Sequence, residues 1–226
     1  ELRTQISELR AAMEDYCSEI VETGRIGKDA FYTLYDNGTV LVRGKGPTYD
    51  YDLSANKSPF YENKTVQKII ISAGITYVGD AVFYKSDILK EVALPDTVTA
   101  IGWCSFSTCR KLTTVNIPSS LETIGSMAFS YSDIHSITIP KTVKTLSKYA
   151  FQESWLANVR IEAENVGDTA FTRCQSLDCV TIGSTVKKIG TSVFAYCDQV
   201  KSFVYEGTIE MWNAITKPKE WYSGSD

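Results

Sequence analysis

The sequence contains almost no histidine: His135 is the only one among 226 residues. A histidine-based catalytic triad needs a serine or cysteine nucleophile and an orienting carboxylate. No nucleophile-elbow motif accompanies His135, and no glycine-rich phosphate loop follows a strand pattern. We therefore predict that the protein is not an enzyme, that it has no catalytic or metal-binding residues, and that it uses no cofactor.

Cysteine occurs six times but never as a Cys-x-x-Cys pair, which argues against a zinc ribbon or a thioredoxin-type site. Cys109, Cys174 and Cys197 recur at one position of the repeat described below, where we expect small buried side chains. Cys104 lies five residues before Cys109, and Cys179 lies five residues after Cys174. A disulfide within either pair stays an alternative, because an exported protein would permit it.

The sequence also has neither a basic excess nor a long apolar run. Its formal net charge is −4, whereas nucleic-acid binding requires a basic face. No apolar run reaches the roughly 18 residues that a membrane-spanning helix requires. We therefore expect no nucleic-acid partner and no membrane span. The chain starts at Glu1 without an initiator methionine or a signal peptide, so we expect a mature or trimmed start.

What the sequence does contain is a regularly spaced aromatic residue. Six phenylalanines are separated by 23, 23, 22, 20 and 23 residues: Phe83, Phe106, Phe129, Phe151, Phe171 and Phe194. An apolar pair, two positions apart, lies fourteen residues before five of them, as Ile69 and Ile71 do before Phe83. An apolar residue followed by glycine usually stands between pair and phenylalanine, as in Val78-Gly79. Self-similarity at a period of about 20–50 residues indicates a stacked solenoid.

One such unit is too short to bury its own phenylalanine. Residues two apart on a strand point the same way, so each apolar pair forms one rung facing a core. The turn glycine permits a positive φ angle or a close approach of neighbouring coils. Stacked units would enclose a column of phenylalanines, and each ring would contribute about 2–3 kcal/mol by its burial. We expect this ladder to be the main source of stability.

Helices are predicted at both ends of the repeats. Residues 1–24 carry an apolar stripe at alternating four- and three-residue steps: Leu2, Ile6, Leu9, Met13, Tyr16 and Ile20. This amphipathic helix would either pack on its own solenoid end or pair with another chain as a coiled coil, which would give self-association. At the other end, we expect Thr208 to cap a short helix that places Trp212 over the last coil.

Residues 25–65 are predicted to form a β-hairpin and an aromatic capping segment. Two strand-like runs flank Asn37-Gly38, a strong turn signal. Four aromatic residues follow: Tyr49, Tyr51, Phe60 and Tyr61. We expect this aromatic cluster to cover the first coil. With Asp50 and Asp52 interleaved, it is also the candidate site for a carbohydrate, whereas Ca²⁺ would need about six or more oxygen ligands.

The repeat resembles a known family. Residues 112–133 read LTTVNIPSSLETIGSMAFSYSD, and the next unit continues with IHSITIPKTVKTLSKYAF. Proline ends the rung strand in three units, at Pro95, Pro118 and Pro140. Over about residues 29–215, this pattern resembles the BspA-like leucine-rich repeats of bacterial surface proteins. It departs from the family pattern at Ser147, which replaces glycine, and in the shortened unit 152–171.

The resemblance implies a fold and a role. The fold is a leucine-rich repeat solenoid, a right-handed β/α superhelix of mostly short parallel strands joined by turns or short helices. Residues 66–226 would form the repeat array and its C-terminal cap within one compact domain. The role is a non-catalytic protein-interaction or adhesion module of an exported bacterial protein, located outside the cell or on its surface. The alternatives are a carbohydrate-binding module that uses the aromatic cluster and a structural spacer.

The ligand would be a protein or a glycan at the cell surface. We expect a protein to bind the outward side of the rung strands, and a glycan to bind the aromatic cluster. Seven short strands at about 4.8 Å spacing offer only about 300 Å². A standard interface takes about 800 Å² from each partner, so a flank must contribute. The candidate contacts lie mid-array: Asn116, Thr138, Asn158 and Arg160. Arg160 is the expected anchor, because a guanidinium pairs bidentately with carboxylates and stacks on aromatic rings.

Overall fold

A computed structural model describes residues 18–222 of the chain. The elements follow in this order: β1 (Ile20–Arg25), β2 (Asp29–Tyr35), β3 (Thr39–Pro47), β4 (Lys68–Ile71), β5 (Ile75–Val78), β6 (Glu91–Ala93), β7 (Ala100–Ile101), β8 (Thr114–Val115), β9 (Thr123–Ile124), β10 (Ser136–Ile139), β11 (Thr145–Leu146), β12 (Asn158–Ile161), β13 (Asn165–Val166), β14 (Cys179–Ile182), β15 (Lys188–Ile189), β16 (Ser202–Tyr205) and α1 (Ile209–Ala214). The strands after β3 belong to the repeats, and all of their pairings are parallel.

The described chain enters the fold through three antiparallel strands. β2 and β3 form the predicted hairpin, in which Gly38 has a φ angle of +78°. β1 pairs with the other side of β2. The predicted helix over residues 1–24 is therefore wrong for residues 20–24, which are strand. Residues 1–17 lie outside the described residues.

Pairing with β2 explains why this segment is extended. A helix ending here would have needed Ile20 to face a core, but Ile20 is 62% exposed. Ile20 and Val21 are β-branched and favour extended backbone. Across the pair, the Tyr32 hydroxyl donates a hydrogen bond to the Glu22 carboxylate. The free edge of β2 thus supplies backbone hydrogen-bond partners for this segment. The spacing of its apolar residues, which predicts a helix, does not reveal them.

The repeats stack into a solenoid with two walls of parallel strands and one arm of turns. The first wall contains β4, β6, β8, β10, β12, β14 and β16, and its outward side is called the strand face. The second wall contains β5, β7, β9, β11, β13 and β15, which pair without interruption. β3 joins both walls, since its first half pairs with β4 and its last residues pair with β5. Gly44 and Gly46, with φ angles of +127° and +76°, let β3 turn between them.

The aromatic ladder is a column of stacked, buried rings. From Phe83 to Phe194, neighbouring ring centroids are 5.3–5.5 Å apart and neighbouring planes lie within 13°. The column begins one ring earlier than predicted, because Phe60 stacks on Phe83 at 5.2 Å. Tyr32 closes that end edge-on, 4.8 Å from Phe60. Phe60 is thus a repeat position, 23 residues before Phe83.

The third side, called the turn arm, is held by hydrogen bonds between equivalent turns. Residues two before and two after the six phenylalanines from Phe83 to Phe194 have positive φ angles, such as Met127 at +56° and Tyr131 at +58°. Between them, the Phe129 N–H donates to the Ala150 carbonyl of the next repeat at 2.8 Å. A left-handed backbone is uncommon for residues other than glycine. Here the hydrogen bonds between repeats stabilise it.

The predicted cysteine column lies in the turn arm and is buried. The thiols of Cys109, Cys174 and Cys197 donate to phenylalanine carbonyls of the preceding repeat at 3.1–3.2 Å. Ser86 makes the same contact with Phe60 at 3.2 Å. Burial raises the pKa of the Cys109 thiol. The five described cysteines are all free, and Cys17 lies outside the described residues.

An aromatic tail, rather than a helix, closes the last coil. α1 has Thr208 as its predicted N-cap, but it is six residues long and buries none of them. Trp212 is partly buried, with its ring 5.7 Å from that of Trp221. Trp221 stands edge-on to Phe194 at 6.1 Å, and its carbonyl accepts the Val193 N–H at 2.8 Å. The predicted helical cap is therefore wrong, because so short a helix cannot present a continuous apolar stripe.

Candidate functional site

The strand face brings three of the four predicted ligand contacts together. Thr138 on β10 lies opposite Arg160 on β12, and Ser136 lies opposite Asn158. Asn116 follows β8, which is not paired with β10. The first wall is therefore not continuous: it consists of two separate sheets.

The hydrogen-bond ladder of the first wall shortens stepwise before it breaks. Four residue pairs join β3 to β4, three join β4 to β6, and two join β6 to β8. Within residues 18–222, no pair joins β8 to β10, and four pairs each join β10, β12, β14 and β16. Each lost pair shortens the strand, so β8 retains only two residues.

Proline removes the donor that lengthens these strands elsewhere. The position meant here is the one immediately after the second residue of each apolar pair. There, the Glu162 N–H donates to the Ile139 carbonyl at 2.8 Å, and the Gly183 N–H donates to the Ile161 carbonyl at 2.8 Å. The equivalent residues of three earlier units are prolines: Pro95, Pro118 and Pro140. Proline has no N–H, so the ladder cannot extend there.

Asn116 completes the break. The Leu94 N–H donates to Asn116 Oδ1 at 2.7 Å, and Asn116 Nδ2 donates to the Leu94 carbonyl at 2.6 Å. In a regular parallel ladder, backbone groups of the neighbouring strand would occupy both places. The side chain therefore replaces the backbone of its own strand, and β8 ends at Val115. The amide predicted to contact a ligand is already used to hold the fold.

The break opens a recess in the middle of the strand face, called the strand-face recess. It has a volume of about 320 Å³ and is lined by Val115, Ile117, Ser136, Ile137, Thr138 and Pro140. Val115 and Ile117 are half-buried, whereas Val180 at the same rung position is fully buried. Pairing of β9 with β11 and stacking of Phe129 on Phe151 at 5.3 Å hold the two coils together. An extra strand would need about 4.8 Å more, so the recess suits a side chain instead.

Arg160, the predicted anchor, is held by two carboxylates. Its guanidinium contacts Glu162 at 2.8 Å and forms a bidentate pair with Glu206, which follows β16. Hydrogen bonds with Glu206 and then Glu162 raise the pKa of Arg160, and the same contact with Arg160 lowers the pKa of Glu206. A carboxylate ligand would have to displace Glu206. The anchoring role of Arg160 therefore stays a prediction.

The aromatic cluster predicted to bind a carbohydrate is dispersed. Phe60 is 1% exposed and belongs to the ring column, so it is unavailable to a ligand. Tyr49 and Tyr51 contact each other with centroids 6.4 Å apart. Tyr61 packs instead against Tyr84 at 5.4 Å. What remains of the predicted cluster is two separate tyrosine contacts at the first coil.

The polar residues singled out in the sequence contact the local backbone. His135 Nδ1 lies 2.7 Å from the Asp133 carbonyl. Asp52 Oδ1 accepts amide hydrogen bonds from residues 54–56 at 2.6–3.1 Å, which lower the pKa of Asp52. Within the described part of the chain, no group of three His, Cys, Asp or Glu residues is arranged to hold a metal ion.

No helix described there is long and apolar enough to cross a membrane.

Comparison with known families identifies the repeats. The model of the BspA type leucine rich repeat region matches six copies, at residues 54–178 and 162–214. The chain belongs to the BspA-type leucine-rich repeat family. This match covers more than half of the chain and confirms the resemblance seen in the sequence. No curated protein sequence matches the chain.

Solved structures of other bacterial leucine-rich repeat proteins are similar. The T. pallidum protein has a TM-score of 0.50 and 19% identity over 77% of this chain and 79% of its own, which shows a shared fold. A Bacteroides ovatus protein has 25% identity and a TM-score of 0.48 over 78% of this chain. A Eubacterium ventriosum protein has 19% identity and a TM-score of 0.47 over 81% of this chain and 72% of its own. The chain covers 45% of the Bacteroides protein.

The strand-face recess was not predicted from the sequence. Its signals were present as three consecutive rung prolines followed by units with Glu162 and Gly183 at the same position. Proline is common at that position in the repeat motif, so its consequence is not apparent from the motif. The amide contact between Asn116 and Leu94 joins residues 22 positions apart, and no local pattern encodes it.

Proposed function

We propose that the chain is a non-catalytic protein-interaction module of an exported or surface bacterial protein, and that its partner binds the strand face. The membership of the leucine-rich repeat family is consistent with protein interaction. The observation that carries the proposal is the strand-face recess, which partly exposes Val115 and Ile117, whereas the other rung residues from β4 to β14 are buried. A partner would place one apolar side chain against Ile117 and Ile137.

The position of the recess supports this proposal. It lies mid-array, where a bound partner excludes water best and binding energy concentrates. Its rim carries Thr138, and exposed Asn158 lies on the next strand. These two of the predicted contacts can donate and accept hydrogen bonds around an apolar centre. Because the face is small, the contact extends onto a flank.

Adhesion at the cell surface and an extracellular location are proposed from the family resemblance. A carbohydrate bound by the aromatic cluster and a purely structural spacer are the other candidates. The first loses support because Phe60 is buried, and the second predicts no ligand at all. Self-association through residues 1–24 also stays a prediction: residues 20–24 belong to β1, and residues 1–17 lie outside the described residues.

Site-directed photo-crosslinking tests the proposal. Benzoylphenylalanine is placed at Ser136, which lines the recess, and at Ser202 as a matched control at the same strand position on β16. The proteins are incubated with intact cells and with secreted proteins. We expect a protein to crosslink from position 136 and not from position 202.

Affinity for the captured protein then decides the site. Thr138→Arg fills the recess and is expected to weaken binding at least tenfold, or about 1.4 kcal/mol. Thr181→Arg places the same group in the same outward column, where the ladder is intact, and should change affinity less than twofold. Equal crosslinking from both serines, or equal affinity of the two arginine variants, would remove the recess from the binding site.

A further inference from the structure

The turn arm carries a second recess, away from the strand face. It has a volume of about 620 Å³, and its walls include Arg110, Tyr131, Trp155, Arg173, Tyr196 and Asp198. We call it the Trp155 recess. Trp155 is 61% exposed there. A tryptophan this exposed needs an explanation, because burial of its ring is normally favourable.

Two shortened turns create this recess. The buried leucine that ends the turn, Leu112, lies six positions after Phe106, and Leu177 lies six positions after Phe171. Leu156 lies only five positions after Phe151, and the unit of Phe129 is short in the same way. The two short turns lie between full-length turns that carry Arg110 and Gln175. The loops on either side therefore stand above the floor of the recess.

The walls are held in place by contacts among themselves. The Arg110 guanidinium lies 5.5 Å from the centroid of the Tyr131 ring, and Arg173 lies 5.5 Å from the centroid of Tyr196. The Tyr131 hydroxyl donates to Glu153 at 3.1 Å, and Arg173 lies 3.6 Å from the same carboxylate. These contacts order the side chains before a ligand arrives, which reduces the entropy lost on binding.

Other groups in the recess have unused bonding capacity. Within the described part of the chain, the Trp155 indole N–H and the side chains of Gln175 and Asp198 make no hydrogen bond, and Arg110 has no carboxylate within ion-pair distance. Arg110 and the indole only donate, Asp198 only accepts, and Gln175 does both. Donors and acceptors are therefore mixed, and the positive charge of Arg110 is matched by the negative charge of Asp198.

We propose that the Trp155 recess is a binding site for a neutral carbohydrate. Each sugar hydroxyl both donates and accepts hydrogen bonds, so one ligand can satisfy arginine, glutamine and aspartate together. The C–H face of a pyranose ring carries the small positive charge that suits the electron-rich face of an indole. The recess volume falls within the usual range for small-molecule sites, about 300–1,000 Å³. An anionic ligand would meet Asp198 and Glu153 as well as the arginines.

A peptide is the less favoured ligand. Peptides gain affinity from rings that they can cover, but arginines already lie against Tyr131 and Tyr196. Among the aromatic rings of the recess, Trp155 is the one with no arginine against it, which matches the single stacking contact that one sugar unit requires. This inference is independent of protein binding at the strand face, and each can fail without the other.

Glycan binding by the intact chain tests the inference. The protein is applied to an array that carries neutral and anionic oligosaccharides, and each hit is titrated in solution by calorimetry. We expect neutral oligosaccharides to bind. Trp155→Ala should weaken that binding at least tenfold, and Gln175→Ala should weaken it by a smaller factor. Trp103→Ala is the matched control, because Trp103 is 36% exposed on the same arm but outside the recess, and it should leave affinity unchanged.

Several outcomes would overturn the inference. Absence of any neutral hit, binding of anionic oligosaccharides alone, or equal loss of affinity in the Trp155 and Trp103 variants would each do so. Circular dichroism and thermal melting of every variant establish that it remains folded. A peptide array probed in parallel covers the remaining case: peptide binding that depends on Trp155, without glycan binding, would assign the recess to a protein partner instead.

Discussion

The strand face and the turn arm are built from the same repeats, yet only the arm keeps its hydrogen bonds through every coil. At the junction where β8 and β10 do not pair, the Phe129 N–H still donates to the Ala150 carbonyl at 2.8 Å. The rings of Phe129 and Phe151 also stack there at 5.3 Å. The second wall continues as well, through β9 and β11. One side of the coil can therefore open while two sides hold.

This difference shows which sides of the repeat stabilise the stack and which side can vary from unit to unit. Stability in a solenoid is approximately a sum over repeats and their nearest-neighbour contacts. When the ring column and the turn arm supply most of each contact, the strand face can lose part of its ladder without loss of the stack. At the junction between β8 and β10, the strand face contributes no strand pairing, and there apolar residues become accessible at the strand-face recess.

The largest expected effect is in the ring column. Phe129→Ala should lower the free energy of unfolding by about 3–5 kcal/mol, because it leaves a cavity between stacked rings. Phe60→Ala should cost a similar amount, since that ring is also buried and stacked. Chemical denaturation measures both, and Phe31→Ala on the exposed side of β2 is the control. A loss below about 1 kcal/mol for Phe129 would mean that the column is not the main stabilising feature.

A smaller loss of stability is expected at Asn116, whose side chain takes the place of a neighbouring strand. Asn116→Ala removes both partners of the Leu94 backbone and should cost about 1–3 kcal/mol. Asn158→Ala, which removes an exposed amide from the neighbouring sheet, should stay within about 0.5 kcal/mol. Denaturation midpoints measured in parallel distinguish the two. Equal and negligible losses would show that the contact between Asn116 and Leu94 contributes nothing.

Restoring a backbone N–H donor on the strand face should increase stability. Pro140→Ala supplies the N–H that Glu162 provides in a later unit, and its bond to the Ile117 carbonyl should add about 0.5–1.5 kcal/mol. Pro95→Ala is the matched variant, because it supplies the same missing donor between β4 and β6, which already pair. Hydrogen exchange of the residue-140 amide reports the new bond. Rapid exchange with unchanged stability would show that Asn116 alone keeps the strands apart.

The smallest effect concerns Arg160. Its contact lowers the pKa of Glu206, so its contribution to stability is present at neutral pH and is lost as pH falls through the lowered pKa of the folded state. The melting temperature of Arg160→Gln should lie slightly below that of the unmodified protein at pH 7. The two values should converge in acid, below the ordinary glutamate range near about 4.3. A difference that persists at the lowest pH would assign the effect to packing rather than charge.

Much of the fold could be predicted from side-chain spacing. The column residues, the rung pairs, the hairpin at Asn37-Gly38 and the Thr208 N-cap all depend on signals within one or two repeats. Phe60 was missed although it keeps the 23-residue spacing to Phe83, because its surroundings lack the other repeat signals. The strand at residues 20–25 was missed because its partner strand, not its own pattern, makes it extended.

The binding surfaces show the same division between local and long-range causes. The outward positions of Thr138, Asn158 and Arg160 follow from strand alternation alone. Whether those side chains are available depends on neighbours in other repeats: Glu206 for Arg160 and Leu94 for Asn116. The Trp155 recess likewise depends on turn lengths in adjacent units, and the sequence shows it only as a departure from the period.

Stacking follows from residue spacing, because a repeated phenylalanine and a repeated apolar pair can be buried only by equivalent residues of neighbouring coils. Where the stack closes and where it opens depends on contacts that exist only in the folded chain. Backbone hydrogen bonds between coils depend on both partners at once, so Pro140 loses its bond to Ile117 while Glu162 keeps its bond to Ile139. Periodicity describes what the units share, whereas the recesses arise where neighbouring units differ.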